Sequence, residues 1–427
     1  MERHRQATGT RALVLRLIRA HGTLSRVELA AHTGLTVAAM TPVMRNLLLD
    51  NLIEEAGSSG NTGGKPRTML RVVGGAAYAI GVSVDLVSTS FVLVDFAGAV
   101  VRTLPARQSG GTTQELADGI VAGIGELMAL TGVAADKVLG IGIAAQGPHD
   151  WSMVGPAAAG PYADQWLDPA VGRLVGDRTG MAVVVQNDAN AVAVGEFSLS
   201  LDARSSGNFA CIYLGQSGLG SGIFADGQLV LGRNSYAGAV AHLSIDADGP
   251  PCFCGGQGCL ELYGSPRAII EAVRAHDQQS PDSAIGVSTA GPVAARDMHL
   301  LYEAARGGHP YAAEVVATVA RYLASACATM ATLLDLDLIV LTGAGFVGME
   351  PVFLGAAREV SERFREVGAR PDFAVRMSTL GTGNDSAAVG AAVGVLELTP
   401  ERAPVNGETS FTPLQGARAP ESRASTP

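Results

Sequence analysis

The sequence predicts an α/β protein that carries a small helical domain at its N-terminus. Residues 10–72 show helix signals separated by a turn and followed by two short strands, whereas from Ala77 onward short apolar strands alternate with helices. Alternation of this kind gives sheets covered by helices. The net charge also changes sign, because residues 1–75 carry +5 and the remainder of the 427-residue chain carries −15.

The N-terminal segment contains three predicted helices. The segment Ser25-Arg-Val-Glu28 is a capping box that begins a second helix of roughly 26–32, and Gly34 then makes a turn. Thr36 caps a third helix that runs to about Leu49. The apolar positions expected to face the core are Leu13, Leu17 and Ile18 in the first helix and Met40, Val43, Met44, Leu47 and Leu48 in the third.

Two strands complete this segment. Residues 52–55 and 68–72 have strand character, and the Gly/Ser/Asn-rich stretch 57–64 joins them. Helix, turn, helix and β-ribbon together predict a winged helix-turn-helix over residues 1–74, which is a DNA-binding fold. A basic head on an acidic body indicates that only the head meets a polyanion, here a double-stranded DNA operator.

The third helix is expected to enter the major groove of DNA. Arg45 is the only basic residue on its outward face, so a bidentate contact to guanine falls to Arg45. Pro42 removes one helix hydrogen bond and is expected to bend the helix. One head makes few contacts, so we expect two half-sites read by a homodimer or homotetramer. The candidate DNA contacts are Thr36, Ala38, Thr41 and Arg45 on the helix and Lys65 and Arg67 beside the wing.

The body shows two similar sets of elements, which predict two lobes with a cleft between them. The first set has strands within 78–95, 138–144 and 182–186 and helices over 117–130 and 189–199. The second set has strands over 209–214, 221–224 and 338–341 and a helix near 312–334. After Thr399 the chain is rich in Pro, Ser, Arg and Glu, so residues 399–427 are predicted to be a disordered tail.

Four potential metal ligands lie close together in the sequence. His242 is followed by Cys252, Cys254 and Cys259, with glycines between the last two that allow a tight turn. Three thiolates and an imidazole suit tetrahedral Zn²⁺ and leave no open position, so we predict a structural zinc.

The remaining composition indicates a cytoplasmic protein without a membrane segment. Cys211 and Cys327 lie in apolar segments and are interpreted as buried free thiols. Arginines interrupt the N-terminal apolar stretch, which excludes a secretory signal. The best apolar run, 333–347, contains Asp335 and Asp337, so we expect no bilayer span.

These motifs together resemble the ROK family of repressors, open reading frames and sugar kinases. The resemblance covers roughly residues 10–398 and lies in the winged helix-turn-helix, Asn187-Asp-Ala-Asn190, Gly238-x-x-x-His242 and the Cys-x-Cys-Gly-x-x-Gly-Cys-Leu-Glu motif ending at Glu261. It implies an actin- and hexokinase-like fold with a first lobe over 75–195, completed by 384–398, and a second lobe over 196–383.

The resemblance also implies a sugar site that is only partly kept. Asp188 matches the catalytic base of the kinases, and Asn187, His242 and Glu261 match positions that contact the sugar. The family's carboxylate three residues before the histidine is missing, because Ala239 stands there. In the kinases of the family, the segment Asp-x-Gly-Gly-Thr-Lys binds the phosphates of ATP. Here Ser83 replaces its aspartate, and Asp85 and Leu86 replace its two glycines.

We therefore expect a vestigial base at Asp188 and no kinase activity, since leucine cannot let the backbone approach phosphate as glycine does. The leading hypothesis is a repressor of carbohydrate-related genes whose body senses a sugar or sugar derivative. The alternatives are an ATP-dependent sugar kinase that also binds DNA and a DNA-binding protein that takes no ligand.

Overall fold

The computed structural model describes residues 2–58, 67–85, 88–109, 111–147, 167–216, 218–291, 295–368, 372–381 and 385–398, with backbone alone for 2–8. The predicted tail lies outside these residues. The helices are α1 Glu2–His21, α2 Arg26–Thr33, α3 Val37–Leu49, α4 Thr113–Thr131, α5 Ala170–Thr179, α6 Asp188–Leu199, α7 Leu201–Ser206, α8 Glu261–Gly264, α9 Pro266–Gln279, α10 Ala295–Arg306, α11 Pro310–Leu334, α12 Glu350–Val367 and α13 Asp385–Leu398.

The strands form three sheets. A small sheet in the N-terminal head has the order β1-β3-β2, and two five-stranded sheets lie in the body. The strands are β1 Leu24–Ser25, β2 Ile53–Ser58, β3 Thr68–Val72, β4 Tyr78–Val84, β5 Ser88–Asp95, β6 Val100–Gln108, β7 Val138–Ala145, β8 Val183–Asn187, β9 Phe209–Leu214, β10 Leu219–Ala225, β11 Gln228–Leu229, β12 Leu338–Thr342 and β13 Ala374–Met377.

The head contains three helices and a three-stranded sheet, with local features that the sequence predicts. The Ser25 hydroxyl accepts from the backbone N–H of Glu28 at 3.3 Å, and the Glu28 carboxylate accepts from the N–H of Ser25 at 2.8 Å. Gly34 ends α2 with φ of 67°, and the Thr36 hydroxyl caps α3. The head core contains fully buried Met40, Met44 and Leu47 together with strand residues.

One core assignment in α1 is wrong. Leu13 faces solvent with 38% of its surface exposed, whereas Val14 and Leu15 are fully buried. The reason is that α1 packs on two sides, against the other head helices and against α6 and α7 of the body. A helix covered on two sides does not show the single apolar stripe from which Leu13 was assigned.

The two body sheets have the same connectivity. The first has the order β6-β5-β4-β7-β8 and the second β11-β10-β9-β12-β13. In each sheet the first three strands along the chain pair antiparallel and the last two add in parallel. Each sheet therefore forms one lobe, and α6 and α13 pack between the two.

Glycine allows α13 to lie directly on the first sheet. A Cβ atom at Gly81 would be 1.9 Å from the carbonyl oxygen of Ala388, and one at Gly142 would be 2.1 Å from that of Ala391. Any side chain at these strand positions would push α13 away. Helix α13 thus packs directly on the first sheet, and its last turn reaches the head.

The long helix α11 corrects the expectation about apolar runs. It has 25 residues, and its length and composition alone would allow it to cross a membrane, although half of its apolar window is buried within the protein. Val316, Leu323 and Cys327 are among its buried residues. Burial of this kind is typical of a core helix in a large lobe. No other helix among the described residues meets the same criteria.

Candidate functional site

The candidate ligand site lies where strands β7 and β8 end. Asn187 ends β8, its side-chain oxygen accepts from the N–H of Asn190 at 3.0 Å, and its amide donates to the carbonyl of Gly147 at 2.8 Å. Asp188 follows as the first residue of α6 and accepts from the N–H of Ala189 at 2.8 Å. Carboxyl ends of parallel strands are where α/β proteins bind ligands.

Asp188 has the electrostatic character of a base. Its pKa is raised to about 6, chiefly by burial; the N–H of Ala189 acts in the opposite direction, and the nearby carboxylate of Asp85 adds a smaller upward shift. The phenol of Tyr213 lies in the same region, where burial and then the charges of Asp188 and Asp85 raise its pKa well above the usual value. The acidic side chains of Asp85, Asp188 and Tyr213 are therefore clustered in one buried region.

The raised pKa of Asp188 has a measurable consequence. Because the folded state holds this proton more tightly than the unfolded state, the stabilisation is complete below pH 3.8 and is lost as the pH rises through about 6. Asp188→Asn is expected to remove this pH-dependent stabilisation, so the free energy of unfolding of the variant rises relative to that of wild type between pH 4 and 7. Urea unfolding of both proteins across this range tests it, and a difference that is independent of pH would contradict it.

Asp85 does not point freely into the cleft. It is a buried residue just after β4, and its carboxylate accepts from the backbone N–H of Gln216 at 3.0 Å. Gln216 follows β9 of the second lobe, so this bond connects the two lobes. Ser83 is buried within β4, and Leu86 lies outside the described residues.

Glu261 belongs to the second lobe and is held beside the same turn. It begins α8, it is 7% exposed, and burial raises its pKa to about 7. A Cβ atom at Gly218 would be 3.7 Å from the nearer Glu261 oxygen and 3.3 Å from the side-chain nitrogen of Gln146. The second-lobe turn therefore lies close to a carboxylate and an amide at once.

Gln146 is a site residue to which the sequence assigned no role. It follows β7, and its side-chain oxygen is buried without a hydrogen-bond partner among the described residues. An unpaired buried acceptor is unfavourable unless a ligand or water donates to it. Its position directly after β7 and before Gly147 was the only signal that the sequence offered for it.

The four metal-ligand candidates converge as predicted. One ligand atom from each of His242, Cys252, Cys254 and Cys259 lies within 4.8 Å of the others. The distance from Cys254 Sγ to Cys259 Sγ is 3.6 Å, and that from Cys252 Sγ to His242 Nδ1 is 3.7 Å. A tetrahedral zinc with Zn–S bonds of about 2.3 Å separates sulfurs by about 3.8 Å, so the residues fit this ion.

The loop around the cluster is compact because of its glycines. Gly258 has φ of +58°, and a Cβ atom there would be 1.7 Å from the carbonyl oxygen of Asp246. A Cβ atom at Gly256 would be 3.3 Å from the sulfurs of both Cys254 and Cys259. The cluster lies immediately before Glu261 in the sequence, so a metal here would fix the position of that carboxylate.

The candidate DNA face is exposed. Ala38, Thr41 and Arg45 are exposed on α3, as is Thr36, which caps this helix, and Arg67 is exposed just before β3. Lys65 lies outside the described residues. Pro42 lies within α3, which continues as one helix to Leu49 because a single missing N–H leaves the neighbouring helix bonds in place.

Arg26 is a basic residue near this face that the sequence did not single out. It begins α2 and lines a shallow surface cavity together with Thr41, Arg45, Leu48 and Leu49. No local signal distinguishes it, because its closeness to Arg45 depends on the angle between α2 and α3. Two guanidinium groups therefore border one depression on the head.

The fold and the site together define a two-lobed, sugar-kinase-like body joined to a helix-turn-helix head. The sequence profile of the ROK family matches residues 81–397, which is well over half of the chain, and the chain belongs to this family.

Known relatives include both regulators and kinases. The xylose repressor of Bacillus spizizenii is 27% identical over 268 residues, 62% of this chain and 68% of that protein. A ROK family glucokinase from Streptomyces griseus, solved with glucose and AMPPNP, has a TM-score of 0.61 at 29% identity and covers 74% of this chain and 98% of its own.

A solved ROK family transcriptional regulator, described as a homologue of the Escherichia coli MLC protein, resembles the chain over a longer span. It has a TM-score of 0.65 at 22% identity and covers 91% of this chain and 96% of its own. At this identity the likeness establishes the fold.

Proposed function

We propose that this protein is a DNA-binding transcriptional repressor of carbohydrate-related genes that responds to a sugar. The observation that carries the proposal is the helix-turn-helix head, with an exposed third helix, packed on a sugar-kinase-like body. The repressors among its relatives support the same assignment. Genomic footprinting of the bound sites tests it, because a repressor occupies a few discrete sites near sugar genes, and uniform coverage would contradict it.

DNA reading is assigned to the exposed face of α3, with Arg45 as its base-reading residue. Arg45→Ala is expected to weaken binding to the footprinted operator by about 1–3 kcal/mol and to relax the base preference at one position. Arg233→Ala is the matched control, because Arg233 is an exposed arginine on the body. Fluorescence anisotropy with labelled operator and scrambled duplexes measures the affinity of both variants. An unchanged base preference in the Arg45 variant would show that Arg45 does not read a base.

The remaining assigned contacts position the head on the duplex. Thr36, Ala38 and Thr41 offer hydroxyl and methyl groups to bases, and Lys65 and Arg67 are assigned to phosphates. Because a single head makes few contacts, two heads of a homo-oligomer would bind two half-sites of the operator.

The body is assigned the sensing role. Asn187, Asp188, His242 and Glu261 remain the proposed ligand contacts, and Gln146 joins them because its buried oxygen can accept from a hydroxyl group. Zinc held by His242, Cys252, Cys254 and Cys259 would be structural, since four protein ligands leave no site for a reacting water. Ligand binding would change how two heads are spaced or oriented.

Sugar phosphorylation is the second candidate, and one observation favours it. Asp188 keeps the position and the raised pKa, about 6, that a base needs to deprotonate a sugar hydroxyl. Against it, the Asp85 carboxylate already binds the backbone N–H of Gln216, where a nucleotide phosphate would need a donor. A coupled assay with ATP and a panel of hexoses, pentoses and N-acetylhexosamines distinguishes the two, because turnover above background would show a kinase.

A further inference from the structure

We propose that Asp85 is an internal anion that occupies the backbone N–H of Gln216 and thereby bars phosphate-bearing ligands from the cleft. This inference rests on the proposed sensing function and extends it by naming the class of ligand that the body excludes. Sugars without a charge would enter, whereas nucleotides and sugar phosphates would have to displace a carboxylate that belongs to the protein itself.

Hydrogen bonds fix the backbone of Asp85 and thereby the position of its carboxylate. Its N–H donates to the carbonyl of Ser88 at 2.9 Å, and its carbonyl accepts from the hydroxyl of Ser109 at 2.9 Å. The side chain then accepts from the N–H of Gln216 at 3.0 Å in the other lobe. Because Asp85 is buried, this charge-assisted bond forms away from competing water.

The donor belongs to a glycine-rich turn of the kind that binds anions. Gly215 directly follows β9 and donates to the carbonyl of Gly218 at 2.9 Å, which closes the connection to β10 and leaves the N–H of Gln216 directed at Asp85. Backbone N–H groups in such turns are common sites for phosphate and carboxylate oxygens. A carboxylate and a phosphate would compete for this one donor.

The neighbourhood adds repulsion to this competition. Asp85 and Asp188 act on each other, and the charges of Asp85, Asp188 and Asp385 all act on Tyr213. A phosphate placed at Gln216 would bring further negative charge into a buried, acidic region of low dielectric. An uncharged polyol does not meet this repulsion and can donate hydroxyl groups to the same carboxylates.

An apolar cavity that Gln216 also lines suggests a matched pair of probe ligands. This cavity of about 260 Å³ is lined by Gln216 together with Pro266, Met298, Ala344 and Val347 among others. A ligand with a ring in this cavity and a phosphate tail would reach the N–H held by Asp85. Adenosine and ADP have the same ring and differ in the charged tail, so their comparison isolates the effect of charge.

The test is isothermal titration calorimetry of the full-length protein with adenosine and ADP, with and without Mg²⁺. Asp85→Gly frees the donor and removes the charge, Asp85→Asn removes only the charge, and exposed Asp136→Asn is the control. We expect no ADP binding at millimolar concentration by wild type or control, and at least tenfold tighter ADP binding by Asp85→Gly, with a smaller gain for Asp85→Asn. Adenosine binding should change less than twofold in every variant.

Two results would overturn the inference. One is ADP binding by wild type as tight as that by Asp85→Gly, and the other is no gain in either Asp85 variant while both still unfold cooperatively and bind operator DNA. Failure of the proposed function would look different, since it would appear as sugar turnover in the coupled assay or as loss of operator preference in wild type.

Discussion

Cys259→Ser is expected to abolish metal binding and to lower the free energy of unfolding by at least about 4 kcal/mol, because loss of a structural metal belongs to the most destabilising class of single changes. Cys259 is almost fully buried at 1% exposure and lies two residues before Glu261, so the loop that carries this carboxylate should loosen. Binding of structural zinc is worth about 10–16 kcal/mol in zinc-finger peptides, and part of that free energy would hold the loop in this protein.

The matched control is Cys327→Ser, since Cys327 is a buried thiol of the second lobe outside the cluster. It should keep about one zinc per chain. Elemental analysis of protein purified without chelator measures the zinc content, and chemical unfolding measures the free energy of unfolding. Wild type without metal, or a Cys259 variant that retains it, would refute the zinc assignment.

Glu397→Ala is expected to lower the free energy of unfolding by about 3–5 kcal/mol, because it leaves a buried charge without its partner. The guanidinium of Arg19 in α1 is fully buried and donates to the Glu397 carboxylate at 2.7 Å and to the carbonyl of Phe96 at 3.1 Å. Burial lowers the pKa of Arg19, and Glu397 acts in the opposite direction. Arg16 pairs with the other carboxylate oxygen.

Glu359→Ala is the appropriate comparison, since Glu359 forms an exposed ion pair with Arg363 that should contribute at most about 0.5 kcal/mol. Urea unfolding of the two variants measures the difference. Equal small losses would mean that head and body are not joined through Glu397. Because α13 also packs on the first sheet, this joint is a physical connection between the body and the DNA-binding head.

The head and the metal motif could be predicted because their signals are local. A capping box, a glycine at positive φ and four ligands in one short stretch each depend on neighbouring residues. The duplicated strands were recognisable for the same reason, since short apolar runs mark buried strands regardless of their partners.

The features that were missed depend on contacts between distant segments. The sequence shows Asp85 only as a replacement for a family glycine, because its bond to Gln216 spans 131 positions of sequence and depends on how the lobes meet. Likewise Arg19 and Glu397 are separated by 378 positions. Leu13 was assigned to the core from periodicity, which cannot show that the body covers a second side of α1.

The site explains how a regulator can retain the outline of a sugar kinase. In the proposed function, Asp188, Asn187 and Glu261 would bind sugar hydroxyl groups, while the carboxylate of Asp85 occupies the backbone N–H of Gln216. Binding without phosphoryl transfer leaves a ligand in place, and a ligand that favours one arrangement of the lobes shifts the population of heads able to bind DNA.

The most direct measurement of the central claim is the affinity of the full-length protein for its footprinted operator with and without a panel of uncharged sugars. The account predicts tight, sequence-specific binding that one of these sugars weakens at least tenfold, with no sugar phosphate formed when ATP is present. Equal affinity for operator and scrambled DNA, or ATP-dependent phosphorylation of the sugar, would contradict it.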